Sequence, residues 1–229
     1  IVHVSSVTAV MSPHKGSLIS CDSLPTSAHV GTYVDSKSEQ EALARQLQAE
    51  GAPIVITYPG AVMGPNDPHW GDGPFLIDSA LRNKVWLAIE GRIPIVDVRD
   101  LARLHSAVMK PGKGPRRFMF SGTSTTFAET VSLLGRLTGR KIFCPTVPAW
   151  LISPIVNLMD KFHGILPFRL PVTNEGLAIL KWDLRFEDSA AIYGMGIEKT
   201  DLETTMADMV KWMHASGRIP AKIAGILAI

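Results

Sequence analysis

The chain has 229 residues, 46% of them hydrophobic and 19% charged, with 19 Gly and 16 Pro. That length allows one large domain or two small ones, and the composition excludes a disordered tail, a coiled coil and a collagen-like fibre. Lys and Arg number 23 against 21 Asp and Glu, and no basic run exceeds two residues, as at Arg116-Arg117. Without a basic stripe to neutralise phosphates, nucleic acid is not expected as a partner.

Ile1 to Val4 is short, β-branched and followed by Ser5-Ser6, which predicts a central parallel strand ending at the carboxyl edge of a sheet. Functional atoms of α/β proteins gather at that edge. The first residue is Ile rather than Met and no leader precedes the strand, so the chain is expected to begin in the middle of a fold. Ser12 to Thr32 reads as a loop. Val34 to Glu50 follows as a helix, with Ala42, Leu43 and Leu47 on its apolar side and Gly51 as its stop. Pro53 to Tyr58 is a second buried strand, feeding the turn-rich segment Pro59 to Pro65.

Pro74 to Asn83 predicts a helix and Val85 to Ile89 a strand. Arg92 to Val98 is a further strand running into a helix over Asp100 to Met109, and Phe118 to Phe120 is another strand. Thr126 and Glu129 have the spacing of a capping box, which Thr200 and Glu203 repeat before the last regular helix. That helix gathers Leu202, Met206, Met209, Val210 and Met213 on one face and ends at Gly217. Strand and helix in alternation indicate an α/β fold.

Two segments are conspicuously apolar. Trp150, Leu151, Pro154, Ile155, Leu158, Met159 and Phe162 form one stripe of a helix, opposite Ser153, Asn157, Asp160 and Lys161. Core packing, a lid over an apolar substrate and contact of residues 148–163 with a membrane surface are its three open roles. Residues 219–229 suit a packing arm, a homodimer contact or a membrane foot. The uncharged run from Ile142 to Met159 is interrupted by Pro145, Pro148 and Pro154, so no membrane span is expected. Cys21 and Cys144 have neither metal-ligand nor disulfide spacing, and the histidines are scattered, which predicts a cytoplasmic chain without a metal site.

The chemistry centres on Tyr33 and Lys37, four positions apart at a helix start and therefore on one face. An ammonium beside a phenol favours the phenolate and makes Tyr33 usable as a general acid or base. Taken alone, the pair also fits a chance arrangement on a helix surface. Ser6, at a strand end, suits a hydroxyl donor to a substrate oxygen or an ordinary turn serine. Asp97 and Asp100 form a carboxylate pair that an N-cap explains without chemistry.

In order and spacing, Ser5-Ser6, Tyr33-Val34-Asp35-Ser36-Lys37 and Pro59 to Pro65 resemble the short-chain dehydrogenase/reductase superfamily, in its extended, epimerase/dehydratase-like branch. The likeness continues through Ile95 to Ala102 and from Gly194 to Trp212, so it spans nearly the whole chain. It implies the C-terminal part of a doubly wound Rossmann-like parallel sheet with a small mixed α/β substrate domain. Residues 1–65 would be the second half of the NAD(P)-binding domain. Residues 66–229 would be mostly substrate-binding, with 92–110 returning to the Rossmann-like core.

By the same resemblance, Ser6 orients the substrate oxygen, Tyr33 exchanges its proton, and Lys37 acidifies Tyr33 and bonds the nicotinamide ribose of NAD or NADP. Pro59, Gly60, Ala61 and Val62 would line the nicotinamide. The sequence departs from the family in lacking the glycine-rich GxxGxxG turn, in Tyr58 and Met63 where Arg and Tyr are usual, and in Arg99 where an Asp is usual. Loss of that arginine predicts a fairly apolar substrate. The activity implied is oxidation or reduction of a secondary alcohol or ketone, as in hydroxysteroid dehydrogenase-like or dihydroflavonol reductase-like relatives. The alternatives are a sugar-nucleotide epimerase or dehydratase and a non-catalytic NAD(P)-sensing protein.

Overall fold

The computed structural model describes residues 1–161 and 173–228. Strand β1 (Val2–Val4) leads into a single turn of 3-10 helix, Val7–Val10, which Ser6 caps. The loop that follows holds a short strand, β2 (Leu18–Ile19), before helix α1 (Thr32–Ala49). Strands β3 (Val55–Pro59) and β4 (Ala61–Met63) are separated by Gly60 alone. A Cβ at Gly60 would lie 2.2 Å from the Ser121 carbonyl oxygen and 2.6 Å from that of Pro94, so only glycine lets the backbones pass this closely.

Next come α2 (Asp72–Arg82), β5 (Ala88–Ile89), β6 (Arg92–Asp97), α3 (Val98–Val108), β7 (Arg116–Phe120), β8 (Thr123–Thr126) and α4 (Phe127–Thr138). The remainder holds β9 (Thr146–Val147), α5 (Ala149–Lys161), α6 (Asn174–Trp182) and β10 (Arg185–Phe186). It closes with α7 (Ser189–Met195), α8 (Leu202–Ala215) and α9 (Ala221–Ala224). No helix among the described residues is long and apolar enough to cross a membrane.

The main sheet is parallel, in the order β1-β3-β7, with Val4 opposite Thr57 and Pro59 opposite Phe120. A second sheet, β4-β6-β8, pairs β4 and β6 in parallel and β6 and β8 antiparallel. Among the described residues β1 pairs with β3 alone. The strand over 92–97 does not enter the main sheet. α3 packs Leu101, Leu104 and Val108 against Val55 of β3 and Phe118 and Phe120 of β7.

The buried face of α8, Met206, Met209, Val210 and Met213, is the one expected, and it meets Val131 and Leu134 of α4. The tail joins this core through Ile219 and Ala224, with Ile223, Leu227 and Ala228 against it; Ile229 lies outside the described residues. Thr126 and Glu129 form the complete capping box. Thr200 does not cap α8, because Asp201 accepts the Thr204 amide and the Thr200 hydroxyl is drawn to the buried Asp100.

Two helices present a face other than the one expected. α1 buries Val34, Ser38, Glu41 and Ala44, whereas Leu43 and Leu47 are exposed. α5 buries Ala149 and Val156 against Leu177 and Leu180 of α6, while Trp150 is 72% exposed and Leu151, Ile155 and Leu158 are exposed beside it. The stripe read as continuous apolar surface therefore faces outward; its last member, Phe162, lies outside the described residues.

Candidate active site

Tyr33 sits in the first turn of α1, its side chain 50% exposed, and the Lys37 ammonium stands 6.0 Å from its ring centroid. The i, i+4 spacing thus brings phenol and ammonium together on one open helix face. Lys37 is also felt at His3 on β1. Burial pushes that imidazole below its ordinary value, against the Glu41 charge and with a contribution from Lys37. Among the described residues, His3 Nε2 is buried without a hydrogen-bond partner.

Ser6 is buried at the carboxyl end of β1, and its Oγ accepts from the Thr8 amide at 3.2 Å and from the Thr8 hydroxyl at 2.9 Å. Both bonds use lone pairs, which leaves the Ser6 proton for an incoming oxygen. The 3-10 turn capped by Ser6 packs on α1, where Ser38 lies against the Ala9 carbonyl and Ala44 shares a core with Val7, Ala9 and Val10. Beyond Gly60, Ala61 and Val62 are exposed, whereas Pro59 is buried within β3.

α1 also anchors a charged network that sequence reasoning missed. Glu41 is fully buried and accepts from Ser5 Oγ at 2.8 Å, from the Tyr58 hydroxyl at 2.6 Å and from Arg45 Nε at 2.6 Å. Arg45 also donates to the Tyr58 oxygen at 3.1 Å. Burial, then the Glu41 hydrogen bond and charge, drives the Tyr58 hydroxyl far above its ordinary pKa and keeps it protonated. Tyr58 is therefore an interior strut between β3 and α1, and Met63 belongs to the α4/α8 core. Both side chains are buried among core residues, so their substitution is explained by packing and gives no ground for predicting an apolar substrate.

Asp97 and Asp100 are both saturated. Asp97 caps α3, accepts from Thr205 Oγ1 at 2.8 Å and pairs with Arg99 at 2.7 Å; Arg99 reaches on to Asp208 of α8 at 2.7 Å. Burial raises the Asp97 carboxyl, but hydrogen bonds from Arg99 and Thr205 and the Arg99 charge outweigh it and leave the group below its ordinary range. Asp100 accepts the Thr200 amide at 2.6 Å and pairs with Arg103. Arg99 thereby acquires a role, tying the start of α3 to α8.

Two hollows of about 430 and 540 Å³ meet at Arg92 and Asp183 beside the carboxyl end of β7. Their walls carry Lys15, Arg92, Lys181, Arg185 and Lys199 against Glu90, Asp183 and Asp188. Asp188 is committed to structure, accepting from the Ser121 and Gly122 amides and pairing with Lys199 at 2.8 Å. A further carboxylate, Glu175 of α6, accepts the Val34 amide in the first turn of α1 at 2.6 Å.

No protein-family model matches the chain. A Synechocystis protein named as a dihydroflavonol 4-reductase is 25% identical over 201 residues, which is 85% of this chain and 58% of that protein's length. Among solved structures, a nucleoside-diphosphate-sugar epimerase from Pseudomonas aeruginosa matches with a TM-score of 0.69 at 18% identity, over 96% of this chain and 68% of that one. UDP-glucuronic acid 4-epimerase from Bacillus cereus, in complex with UDP-glucuronic acid and NAD, matches with a TM-score of 0.67 at 16% identity, over 94% and 61%. At these identities the solved structures establish the fold, an α/β Rossmann-like one.

Proposed function

We propose that this member of the extended short-chain dehydrogenase/reductases, in their epimerase/dehydratase-like branch, carries the catalytic residues of an NAD(P)-dependent oxidoreductase interconverting a secondary alcohol and a ketone. The observation that carries this reading is the half-exposed Tyr33 with the Lys37 ammonium 6.0 Å from its ring centroid on one face of α1. When bound, the nicotinamide supplies or accepts the hydride. The donors present fit its nicotinamide and ribose end: Lys37 has no carboxylate partner among the described residues, and Ala61 and Val62 offer an exposed apolar shelf. The chain has no glycine-rich turn to hold a pyrophosphate, so its residues answer for the reacting half of the site.

In this assignment the Ser6 hydroxyl donates to the substrate oxygen and orients it. Tyr33 gives that oxygen a proton during reduction and removes it during oxidation. Lys37, standing beside the Tyr33 ring, bonds the nicotinamide ribose in this assignment. Pro59 and Gly60 set the backbone from which Ala61 and Val62 project.

The proposed substrate is an apolar alcohol or ketone. Its support is the exposed Trp150, Leu151, Ile155 and Leu158 surface of α5, together with the name of the Synechocystis relative. A second reading, a sugar-nucleotide epimerase or dehydratase with the same Ser6, Tyr33 and Lys37, is favoured by the basic walls of the hollows at Arg92, which suit an anionic diphosphate. Complete protein should be assayed with NAD and NADP against dihydroflavonols and other apolar ketones, and against UDP-glucose and UDP-glucuronic acid. Turnover of the first group is expected; epimerisation of a UDP-sugar would establish the second reading, and tight cofactor binding without turnover a sensor. Tyr33→Phe should lower kcat at least ~10²-fold with the accepted substrate, and near wild-type turnover would refute the assigned mechanism.

A further inference from the structure

α1 has no cap of its own. Its N-cap position is Gly31, which has no side chain to accept a bond from the first turn. The acceptor comes instead from 141 residues further along the chain, where Glu175 Oε1 takes the Val34 amide at 2.6 Å. Glu175 lies in the first turn of α6, whose own N-cap Thr173 accepts the Gly176 amide at 3.1 Å. One carboxylate therefore stands at the positive ends of two helices, a placement that both helix dipoles favour. Gly31 is what admits it, since a Cβ there would lie 2.5 Å from Glu175 Cδ.

We propose that Glu175 is a positioning residue, a latch by which α6 holds the turn carrying Tyr33 in its working orientation. The proposal rests on the assignment of Tyr33 as the proton donor. Tyr33 lies between Gly31 and Val34, so the amide that Glu175 holds belongs to the residue directly after it. A Ser or Asp at position 31 would satisfy that amide locally and permanently. Glycine with an acceptor on another helix makes order in this turn conditional on where α6 sits. α6 is in turn carried by Leu177 and Leu180, buried against Ala149 and Val156 of α5 and Ile89 of β5. The latch thus transmits the placement of the α5–α6 pair to a phenol whose proton transfer requires hydrogen-bond reach of the substrate.

The test compares Glu175→Ala and Glu175→Gln in the complete protein, with Asp201→Ala as a control that removes the cap of α8. Amide exchange across the first turn of α1 should accelerate about tenfold in Glu175→Ala, the size of a lost helix cap, and stay close to wild type in Glu175→Gln, which retains an acceptor oxygen. With the substrate accepted in the panel above, kcat should fall about tenfold or more in Glu175→Ala, recover in Glu175→Gln and remain unchanged in Asp201→Ala. Unchanged exchange at Val34 in Glu175→Ala would overturn the latch whatever the activity. Faster exchange with wild-type kcat would overturn the positioning role and leave the assignment of Tyr33 standing. A Tyr33→Phe variant of full activity would instead remove that assignment, and the positioning role with it, so the two failures are distinguishable.

Discussion

Helices α5 and α8 carry similar apolar patterns, yet one buries the face its pattern selects and the other exposes it. In α8 the methionines Met206, Met209 and Met213 share a single side and are fully buried against α4. In α5 apolar residues occupy more than one side, and the smaller set, Ala149, Ile152 and Val156, turns inward while Trp150 and Leu158 turn out. α1 behaves like α5: its inner face includes Ser38 and Glu41, and Leu43 is left outside. Periodicity states that a helix has an apolar face. Which face meets the sheet depends on what the sheet offers, and for α1 this is the hydroxyls of Ser5 and Tyr58, which with Arg45 of α1 itself satisfy a buried carboxylate.

The contrast is broken most sharply by Met209→Asp, which would place an unpaired charge in the α4/α8 core and should cost more than ~4 kcal/mol or prevent folding. Met213→Ala tests the same core more gently, with an expected loss of ~2–5 kcal/mol in urea unfolding; a loss below ~1 kcal/mol would mean that α8 is not packed as described. Arg99→Met strands the buried Asp97 carboxylate and cuts α3 from Asp208, with an expected cost of about 2–3 kcal/mol. That cost should shrink at acid pH. The folded Asp97 group titrates below its unfolded value, so its contribution is present above about pH 4 and disappears as pH falls through the folded pKa.

A smaller effect comes from His105 on α3, whose Nε2 lies 3.0 Å from Thr57 Oγ1 and whose pKa burial holds below its ordinary value. Below pH ~6.5 the unfolded chain takes up this proton before the folded one does, so stability should decline as pH falls from 6.5. Urea midpoints at pH 7.5 and 5.5 should differ less in His105→Gln than in wild type, and an unchanged difference would exclude His105 as a source. The smallest effect is expected on the outer face of α5. Leu158→Ser and Ile155→Ser should change stability by less than ~0.5 kcal/mol, as at an exposed site. A loss of ~2 kcal/mol or more would place this face in a core after all.

Several features were legible from local chemistry. Tyr33 and Lys37 meet because the helical repeat brings i and i+4 together, and Thr126 with Glu129 caps α4 because both bonds close within one turn. Glu41 and Glu175 escaped notice because each is an ordinary surface-type residue by composition, and only contact with distant segments buries one and places the other over α1. Gly31 was equally silent, an unremarked loop glycine until Glu175 occupies the space beside it. The partner that gives Arg99 its role, Asp208, comes from α8 and is 109 residues away in sequence.

By itself, then, the sequence determined the α/β class, most helices and strands, and the shared helix face of Tyr33 and Lys37. Those follow from dihedral preference, short-range periodicity and caps, which act over a few residues. The tertiary structure alone decided that Tyr58 is a strut rather than a pocket residue, that β6 leaves the main sheet, and that α5 turns its larger apolar stripe outward. Each of these depends on long-range partners competing for one face, where packing volume and the cost of an unpaired buried charge outweigh the pattern of any single element.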